Sequence, residues 1–306
     1  MTDIPDLHWD IFVSPVPGPR LIVTGAVHGI ETCGMQAILR VAAEFRDGGR
    51  RLSRGRLTLV PVCNPLALSR GTREGEGDLN RAMRLRESPI TFEERVANVL
   101  CPLLLEHDAL LDLHSFQADG PPFAVIGPAT PFERADEEAV LACRLGVSHV
   151  VEGRPIDGAR PLLPAGGAST AIFMRSQGRW GVTLECGQHA EPAAPERAYA
   201  AIGQALAHLG LVDAPAPPPA DVCSVRFDVN VPRRAAGDRF VRTWRSFDAV
   251  RAGELIGTFA DGEALTAPHD GYLVFPDPLA KPGTEWVNIA RASTRFAPAK
   301  PQCDRV

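Results

Sequence analysis

Six short apolar runs alternate with stretches of helical periodicity along residues 1–212 of this chain. The runs are LIVTG (21–25), LTLVPV (57–62), ALLDL (109–113), FAVIG (123–127), SHVVE (148–152) and GVTLE (181–185). The apolar residues at helical spacing after the first run are Met35, Ile38, Leu39, Ala42 and Phe45. Strands that alternate with helices build βαβ units. The pattern predicts an α/β fold with a mostly parallel (mixed) sheet sandwiched by helices.

A proline-rich segment, Asp213–Ala220, separates this region from the rest of the chain. Its four prolines in eight residues exclude a helix and favour a stiff, extended linker. After it, short β-type runs such as VRFDVNVP, ELIGTF and GYLVFP lie between glycine, proline and aspartate. We therefore expect an α/β domain over residues 1–212, a linker over 213–220 and a small all-β domain over 221–306.

The composition narrows the class of protein. A net charge of −5 disfavours a nucleic-acid binder, which normally carries a basic excess. The chain shows no apolar run near the roughly 20 residues that span a bilayer and no secretory pattern at its start. Seven cysteines, an odd number without a CxxC pair, indicate reduced thiols and not a disulfide framework. These features predict a cytoplasmic protein without membrane or nucleic-acid partners.

A histidine and a glutamate stand three residues apart, His28 and Glu31, at the first predicted strand-to-helix turn. The bend brings both side chains to one point, and zinc accepts imidazole nitrogen and carboxylate oxygen. The spacing alone is not specific, because His149 and Glu152 share it. That second pair lies within a predicted strand, where residues three apart face opposite sides. We interpret His149 as an ordinary surface or core histidine.

A second histidine, His114, ends the predicted strand in DALLDLHS (108–115). Carboxyl ends of parallel strands meet at the edge of the sheet where ligands bind, so we expect His114 beside His28. Asp112 either orients His114 through a hydrogen bond or makes a structural hydrogen bond within the sheet. His28, Glu31 and His114 would leave a fourth position for water, as in a hydrolytic zinc site. The expected cofactor is one zinc ion per chain.

A glutamate, Glu185, closes a third buried apolar run at the same predicted edge. Burying a carboxylate there is costly unless it has a function or a partner. Beside an activated water it would accept the proton during attack and pass it to the leaving amine. The alternative is a structural glutamate held in a salt bridge.

Arginines cluster in the segment that follows the second apolar run. Arg70, Arg73, Arg81 and Arg84 fall within 15 residues. Guanidinium groups bind carboxylates in a bidentate manner and stabilise a developing oxyanion. The interleaved Gly, Asn and Pro distinguish the segment from an ordinary solvated charge run. The cluster therefore favours an anionic substrate.

These motifs, in this order, resemble the succinylglutamate desuccinylase and aspartoacylase family of zinc-carboxypeptidase-like deacylases. The segments that carry the resemblance are GAVHGIE (25–31), NPLALSRGTR (64–73), DLNR (78–81), LDLHS (111–115) and TLECG (183–187). Each is short, but five in the same order are specific. The resemblance implies a zinc-carboxypeptidase-like α/β fold whose active site is partly shielded by a small β domain.

The resemblance also implies a role for individual residues. The matches to the zinc ligands are His28, Glu31 and His114, and the match to the general base is Glu185. Arg73 matches the arginine that polarises the scissile carbonyl. Asn80 and Arg81 match the pair that anchors a substrate carboxylate.

Two further substrate-binding assignments rest on the resemblance alone. Arg175 occupies the place of another substrate-carboxylate arginine, ten residues before Glu185. Aspartoacylases also use a tyrosine of the second domain, for which Tyr272 is the candidate in that region. Ile30 stands where the family often has asparagine, a position that does not bind the metal.

We therefore expect hydrolysis of the amide bond of a small N-acyl amino acid or a similar carboxylate-bearing amide. A metallocarboxypeptidase or an esterase would use the same arrangement. A metal-dependent binding protein without catalysis is a rival of another class, against which Glu185 and Arg73 argue. The sequence leaves open the acyl group, the amine and the oligomeric state, including a homo-oligomer.

Overall fold

A computed structural model describes residues 6–130, 132–154 and 167–296. The helices are α1 Cys33–Arg46, α2 Pro65–Arg70, α3 Phe92–Leu105, α4 Ala135–Ala142, α5 Thr170–Ser176 and α6 Ala194–His208. The first eight strands are β1 Asp10–Val13, β2 Arg20–Thr24, β3 Arg56–Val60, β4 Ala109–Phe116, β5 Phe123–Ile126, β6 His149–Glu152, β7 Trp180–Gln188 and β8 Cys223–Pro232. The others are β9 Arg239–Phe240, β10 Ala249–Val250, β11 Leu255–Thr258, β12 Ala264–Thr266, β13 Gly271–Val274 and β14 Glu285–Ala292.

The main sheet has eleven strands in the order β1-β3-β2-β4-β7-β5-β6-β8-β14-β13-β10. From β3 to β8 the neighbouring strands are parallel except for β7 and β5. Strand β1 and the strands beyond β8 pair antiparallel. A three-stranded antiparallel sheet, β12-β11-β9, completes the C-terminal region. The predicted mixed, mostly parallel sheet is confirmed for the α/β part.

Helices cover both faces of the sheet because the buried strands are apolar on both sides. Helices α1 and α6 pack on one face, which receives Leu21 and Val23 of β2. Helices α3 and α5 pack on the other face, which receives Ile22 between them. Each fully buried side chain of this size contributes about 1.5–3 kcal/mol to folding. The sandwich predicted from the alternation of runs and helical segments is present.

The apolar face of α1 differs in part from the predicted one. Ile38, Ala42 and Phe45 are buried as expected, but Leu39 is 46 % exposed. Val41 is buried instead. Successive side chains on a helix are about 100° apart, so the residue next to a buried position can face solvent. Leu39 follows the buried Ile38 in this way.

The C-terminal strands continue the main sheet. Residues 213–220 form neither helix nor strand, as the prolines predict, and β8 then pairs parallel with β6. The strands beyond it have their own core, which contains Trp244, Ile256 and Trp286. The division into domains at the linker therefore stays a proposal, since one sheet crosses it.

Other expectations concern cysteines and membranes. Five cysteines are free and buried: Cys33, Cys63, Cys101, Cys143 and Cys186. Cys223 is disulfide-bonded, so the prediction of reduced thiols is wrong for this residue, and Cys303 lies outside the described residues. Among the described residues, no helix is both long enough and apolar enough to cross a membrane.

Candidate metal centre and active site

The turn after β2 is shaped by two close approaches. A Cβ on Gly25 would lie 2.9 Å from the backbone of Gly34 in α1. A Cβ on Gly29 would lie 2.1 Å from the carbonyl carbon of Ala67 in α2. Ala26, between them, adopts a left-handed φ of 44°, which costs roughly 1–2 kcal/mol in a residue with a Cβ. The surrounding packing fixes this strained turn, and the turn carries His28.

Glu31 lies between two histidine rings at the amino end of α1. Its Oε1 is 2.8 Å from Nδ1 of His28, and its Oε2 is 2.8 Å from Nδ1 of His114. The three ligand atoms lie within 4.8 Å of one another, and all three residues are buried. Burial alone would raise the pKa of Glu31, but the charges of both histidines outweigh it and hold that pKa well below its ordinary value. The structure brings the three predicted ligands together.

The other nitrogen of each ring is held by a carboxylate. Nε2 of His114 lies 2.9 Å from Asp112, and Nε2 of His28 lies 3.2 Å from Asp78. Asp112 also accepts hydrogen bonds from the hydroxyls of Thr24 and Thr170. Such partners fix the tautomer and orientation of a metal-binding imidazole. Of the two interpretations of Asp112, the orienting one is supported by this contact.

These carboxylates are ionised despite their surroundings. Burial acts to raise the pKa of Asp112, but His114 and the two hydroxyls lower it below its ordinary value. The pKa of Asp78 is lowered in the same way by His28 and by nearby Arg73. Conversely, burial lowers the pKa of His114, but Asp112 and Glu31 raise it well above its ordinary value. The cluster therefore gathers three ionised carboxylates around two imidazole rings, a set of groups that suits a cation.

The register of two parallel strands places Glu185 beside this cluster. His114 of β4 and Glu185 of β7 are Cα partners, so their side chains leave the sheet on the same face. Both strands run past the residues at which the sequence predicted that they end. Burial raises the pKa of Glu185 well above its ordinary value, opposed by His114 and supported by the charge of Glu31. Its Oε2 is buried and has no hydrogen-bond partner among the described residues.

Arg73 reaches the cluster from the loop after α2. Its Nη1 donates to Oε1 of Glu31 at 3.0 Å, and its backbone carbonyl accepts from the N–H of Gly29 at 3.2 Å. The side chain is 46 % exposed, so it faces both the cluster and solvent. Burial acts to lower its pKa, but Glu31, Asp78 and Glu185 raise it overall. Arg73 therefore contacts a metal-ligand candidate directly.

Asn80 and Arg81 lie in a short 3-10 helix, Leu79–Arg81, which Asp78 caps. Oδ1 of Asn80 accepts from the N–H of Thr170 at the start of α5. Arg81 is exposed and donates to the carbonyl of Asn80. Because Asp78 contacts His28, the pair lies next to the metal-ligand cluster.

Arg175 does not join the site. It is 8 % exposed, pairs with Glu138 at 2.7 Å and donates to the carbonyl of Gly181. Gly181 lies at the amino end of β7, four residues before Glu185. Its spacing in sequence matched the family pattern, but α5 ends at the opposite edge of the sheet. The substrate-binding assignment of Arg175 is therefore corrected to a structural ion pair.

Tyr272 lies in β13 of the main sheet, in an apolar cluster that joins residues from both sides of the linker. It is 8 % exposed and belongs to the same cluster as Phe116, Phe123 and Phe247. Its position supports a packing role, and nothing in the geometry assigns it to substrate. The pair used as a comparison, His149 and Glu152, binds other groups: Ser148 and Arg295, respectively.

Two groups at the site were not assigned from the sequence. Asp78 lies in the DLNR segment, but its contact with His28 depends on an irregular loop. His189, four residues after Glu185, has its Nδ1 2.8 Å from the hydroxyl of Ser115. In the sequence, the only indication of a role for His189 was its position directly after the strand that carries Glu185.

The structure also has a cavity of about 800 Å³, lined by residues such as Gln117, His149 and Phe247. The metal-ligand cluster does not line this cavity.

The donor set fits a divalent metal. Two imidazole nitrogens and one carboxylate converge, their outer partners are carboxylates, and Glu185 leaves an oxygen unpaired beside them. Borderline ions such as zinc prefer this mixture of nitrogen and oxygen. The described residues therefore could hold one such ion with an open position.

Fold and site together define an α/β protein with a buried His-Glu-His cluster that could bind a metal ion at the carboxyl edge of its sheet. Residues 17–207 match the family model of the succinylglutamate desuccinylase/aspartoacylase catalytic domain. The chain belongs to this family, whose members are deacylases. No curated protein matches the sequence.

Three solved structures share the fold. The product-bound ectoine utilization protein EutE (DoeB) from Ruegeria pomeroyi is 20 % identical, with a TM-score of 0.74 and coverage of 93 % of this chain and 88 % of that one. A succinylglutamate desuccinylase/aspartoacylase from Rhodobacter sphaeroides is 19 % identical, with a TM-score of 0.74 and coverage of 94 % and 90 %. A succinylglutamate desuccinylase from Silicibacter sp. TM1040 is 22 % identical, with a TM-score of 0.72 and coverage of 94 % and 89 %.

Proposed function

We propose that this protein is a zinc-dependent deacylase that hydrolyses the amide bond of a small N-acyl amino acid or a similar carboxylate-bearing amide. The observation that carries the proposal is the pairing of His114 with Glu185 across β4 and β7. It places a buried carboxylate with an unpaired oxygen beside a convergent metal-ligand set. Membership in a family of deacylases supports the same reaction class.

The proposed metal ligands are His28, Glu31 and His114. An ion held there would supply Lewis acidity, which makes water nucleophilic at neutral pH and polarises a carbonyl. Asp78 and Asp112 keep the two rings in place for this. These contacts would fix the tautomer and orientation of both imidazoles as metal ligands.

Glu185 is the proposed proton carrier. During attack on the acyl carbon it accepts a proton from water, and it then delivers that proton to the amine nitrogen as the C–N bond breaks. Its raised pKa makes the carboxylate a stronger base for the first step, and the protonated group can then act as the acid in the second. The products are a carboxylic acid and a free amine.

Arginine and amide groups would bind the rest of the substrate. Arg73 donates beside Glu31 and would stabilise the oxygen of the tetrahedral intermediate. Arg81 and Asn80, next to Asp78, would hold a substrate carboxylate. This arrangement favours small anionic amides over uncharged ones.

Replacement of the base tests the proposal. We expect Glu185→Gln to lower kcat by at least about 10²–10⁴-fold while the metal content stays unchanged. The measurement combines metal analysis with hydrolysis of N-acetyl, N-succinyl and N-formyl amino acids, and Glu196→Gln, on the exposed side of α6, is the control. Activity retained by Glu185→Gln would refute the assignment of the base. Peptides and esters in the same panel distinguish a carboxypeptidase or an esterase, and no turnover at all would indicate a binding protein.

A further inference from the structure

We propose that His189 is a specificity-determining residue, which donates a hydrogen bond from Nε2 to an oxygen of the substrate's acyl chain beyond the scissile carbonyl. This inference rests on the proposed function. It concerns the side of the site that Asn80 and Arg81 do not reach.

His189 is tied to the metal-ligand cluster by two short contacts. The backbone N–H of Ser115 donates to Oε2 of Glu31 at 3.2 Å. The hydroxyl of the same serine lies 2.8 Å from Nδ1 of His189. Ser115 therefore connects the imidazole of His189 to Glu31, a proposed metal ligand. It is half-buried, so part of the ring is accessible.

The contact with Ser115 bears on which ring nitrogen carries the proton. The serine is 3 % exposed and its hydroxyl lies at hydrogen-bond distance from Nδ1 of His189, and we assign the hydroxyl as the donor of this contact. When the hydroxyl donates to Nδ1, the proton of the neutral ring resides on Nε2. Over residues 6–130, 132–154 and 167–296, Nε2 forms no hydrogen bond. With Nδ1 as the acceptor, Nε2 is a donor that no described residue engages.

The charged groups around His189 come from both parts of the chain. Glu31 and His28 face it from the metal-ligand cluster, Arg73 from the loop after α2, and Asp277 from the loop after β13. Burial lowers the pKa of His189, and Arg73 and His28 act in the same direction against the two carboxylates. The ring is therefore neutral at physiological pH. It can donate a hydrogen bond, but it carries no positive charge that would attract every anion.

The position of His189 indicates which end of the substrate it meets. Asn80 and Arg81 belong to the segment that contacts Nε2 of His28, through Asp78. His189 is instead linked, through Ser115, to Oε2 of Glu31, the oxygen that faces His114. A substrate whose carboxylate is held by Arg81 would extend its acyl chain towards His189. An acyl group that ends in an oxygen acceptor fits this donor better than an alkyl group of the same length.

Two matched ligands and three variants test the proposal. In the metal-loaded Glu185→Gln background, calorimetry measures the binding of N-succinyl-glutamate and N-butyryl-glutamate, which differ in the terminal group of the acyl chain. We expect His189→Asn to weaken binding of the succinyl compound by about 10- to 100-fold and to leave the butyryl compound nearly unchanged. His189→Gln places an amide N–H near the position of Nε2 and should restore part of the preference. His208→Asn, at the end of α6, is the control for loss of a half-buried histidine.

The alternative is that His189 only supports Ser115 and Glu31. It predicts that His189→Asn weakens both ligands alike or lowers the metal content, and either result overturns the proposal. An unchanged preference in His189→Asn overturns it too. Turnover by the protein with Glu185 intact is scored separately. Selective binding without hydrolysis would refute the proposed function and support the role of His189, whereas hydrolysis without the selective loss would refute the role of His189 alone.

Discussion

Each of the two histidines at the site makes two contacts with carboxylates. Nδ1 faces Glu31, and Nε2 faces Asp78 or Asp112. A ring with both nitrogens engaged cannot rotate without losing a buried hydrogen bond, which costs about 1–3 kcal/mol. The neighbouring carboxylates therefore fix the orientation of both imidazole rings.

Removal of one outer carboxylate should weaken the metal site. We expect Asp78→Asn to reduce metal affinity by about 10- to 100-fold, because the amide orients the ring of His28 less strongly than the carboxylate does. Competition with a chromogenic chelator measures the affinity. Asp108→Asn is the control, since Asp108 pairs with Arg20 at the amino end of β4. Equal affinities in the wild type and Asp78→Asn would show that the contact has no role in metal binding.

At the residue scale, the sequence predicted the groups that lie on regular elements. His28, His114 and Glu185 follow apolar runs, so their common edge follows from strand direction. Asp78 and His189 were not predicted, because their positions depend on loops, for which hydrophobic periodicity gives no information. Arg175 was misplaced because its spacing to Glu185 says nothing about which edge of the sheet a short helix reaches.

Among the secondary-structure elements, the contact between α2 and the turn at His28 is the tightest feature near the site. Gly29 packs on the backbone of Ala67, and Arg73, which follows α2, bonds to the same turn through its carbonyl. The capping side chain of Asn64 fixes where α2 begins. The placement of Arg73 thus depends on the position of this one-and-a-half-turn helix.

A methyl group at position 29 should displace that helix. We expect Gly29→Ala to destabilise the protein by about 1–3 kcal/mol or more and to lower kcat, because α2 and Arg73 must move. Gly203→Ala is a matched control, since its Cβ would meet nothing within 4 Å in α6. That change should stabilise by about 0.5–1 kcal/mol. Denaturant unfolding measures both, and equal effects of the two substitutions would contradict the packing argument.

The sequence predicted six of the seven strands of the α/β part to within a few residues, but it missed β1 and did not give all the strand directions. Strand β5 runs antiparallel to β7, next to Glu185. The connection 117–122, between β4 and β5, is too short for the helix that a parallel crossover needs. Which strand β5 joins depends on long-range packing, and no local pattern encodes that choice.

For the whole molecule, the sheet crosses the linker, so the two parts share backbone hydrogen bonds. The apolar cluster that contains Phe116, Phe123 and Tyr272 joins residues from both sides of it. The proline-rich segment marked a change in composition, and the sequence offered no sign that β8 would pair with β6. Compositional boundaries report chain stiffness, whereas domain boundaries depend on which surfaces become buried.

Stability of the whole protein should fall in mild acid through buried neutral histidines. Burial lowers the pKa of His107 to about 4. Its Nδ1 donates to the carbonyl of Leu103, so Nε2 accepts from Thr58. The folded pKa lies below the unfolded value of about 6.5, so between these pH values the unfolded chain binds the proton and the folded chain does not. Stability is therefore complete above pH 6.5 and is lost as the pH falls towards 4.

A variant without this histidine isolates the effect. Between pH 7 and pH 5 we expect His107 to account for up to about 2 kcal/mol of lost stability. Urea unfolding at both pH values gives the loss of unfolding free energy between pH 7 and pH 5 for the wild type and for His107→Gln. The difference between these two losses is the contribution of His107. Between pH 7 and pH 8 the two proteins should respond alike. A wild-type loss no larger than that of the variant would contradict a neutral, buried His107.

The contact between Gly29 and Ala67 also has an evolutionary consequence. Gly29 and Ala67 are 38 positions apart in sequence but their backbones are in close contact. A substitution in one segment is therefore tolerated only if the other segment can accommodate it. A homologous chain with a side chain at position 29 should carry a compensating shift or shortening of the helix after β3. A homologue that retains both segments should retain the arginine geometry as well, even where the rest of the sequence has diverged. The pair of segments is therefore a more discriminating signature for distant relatives than the metal-ligand motif by itself.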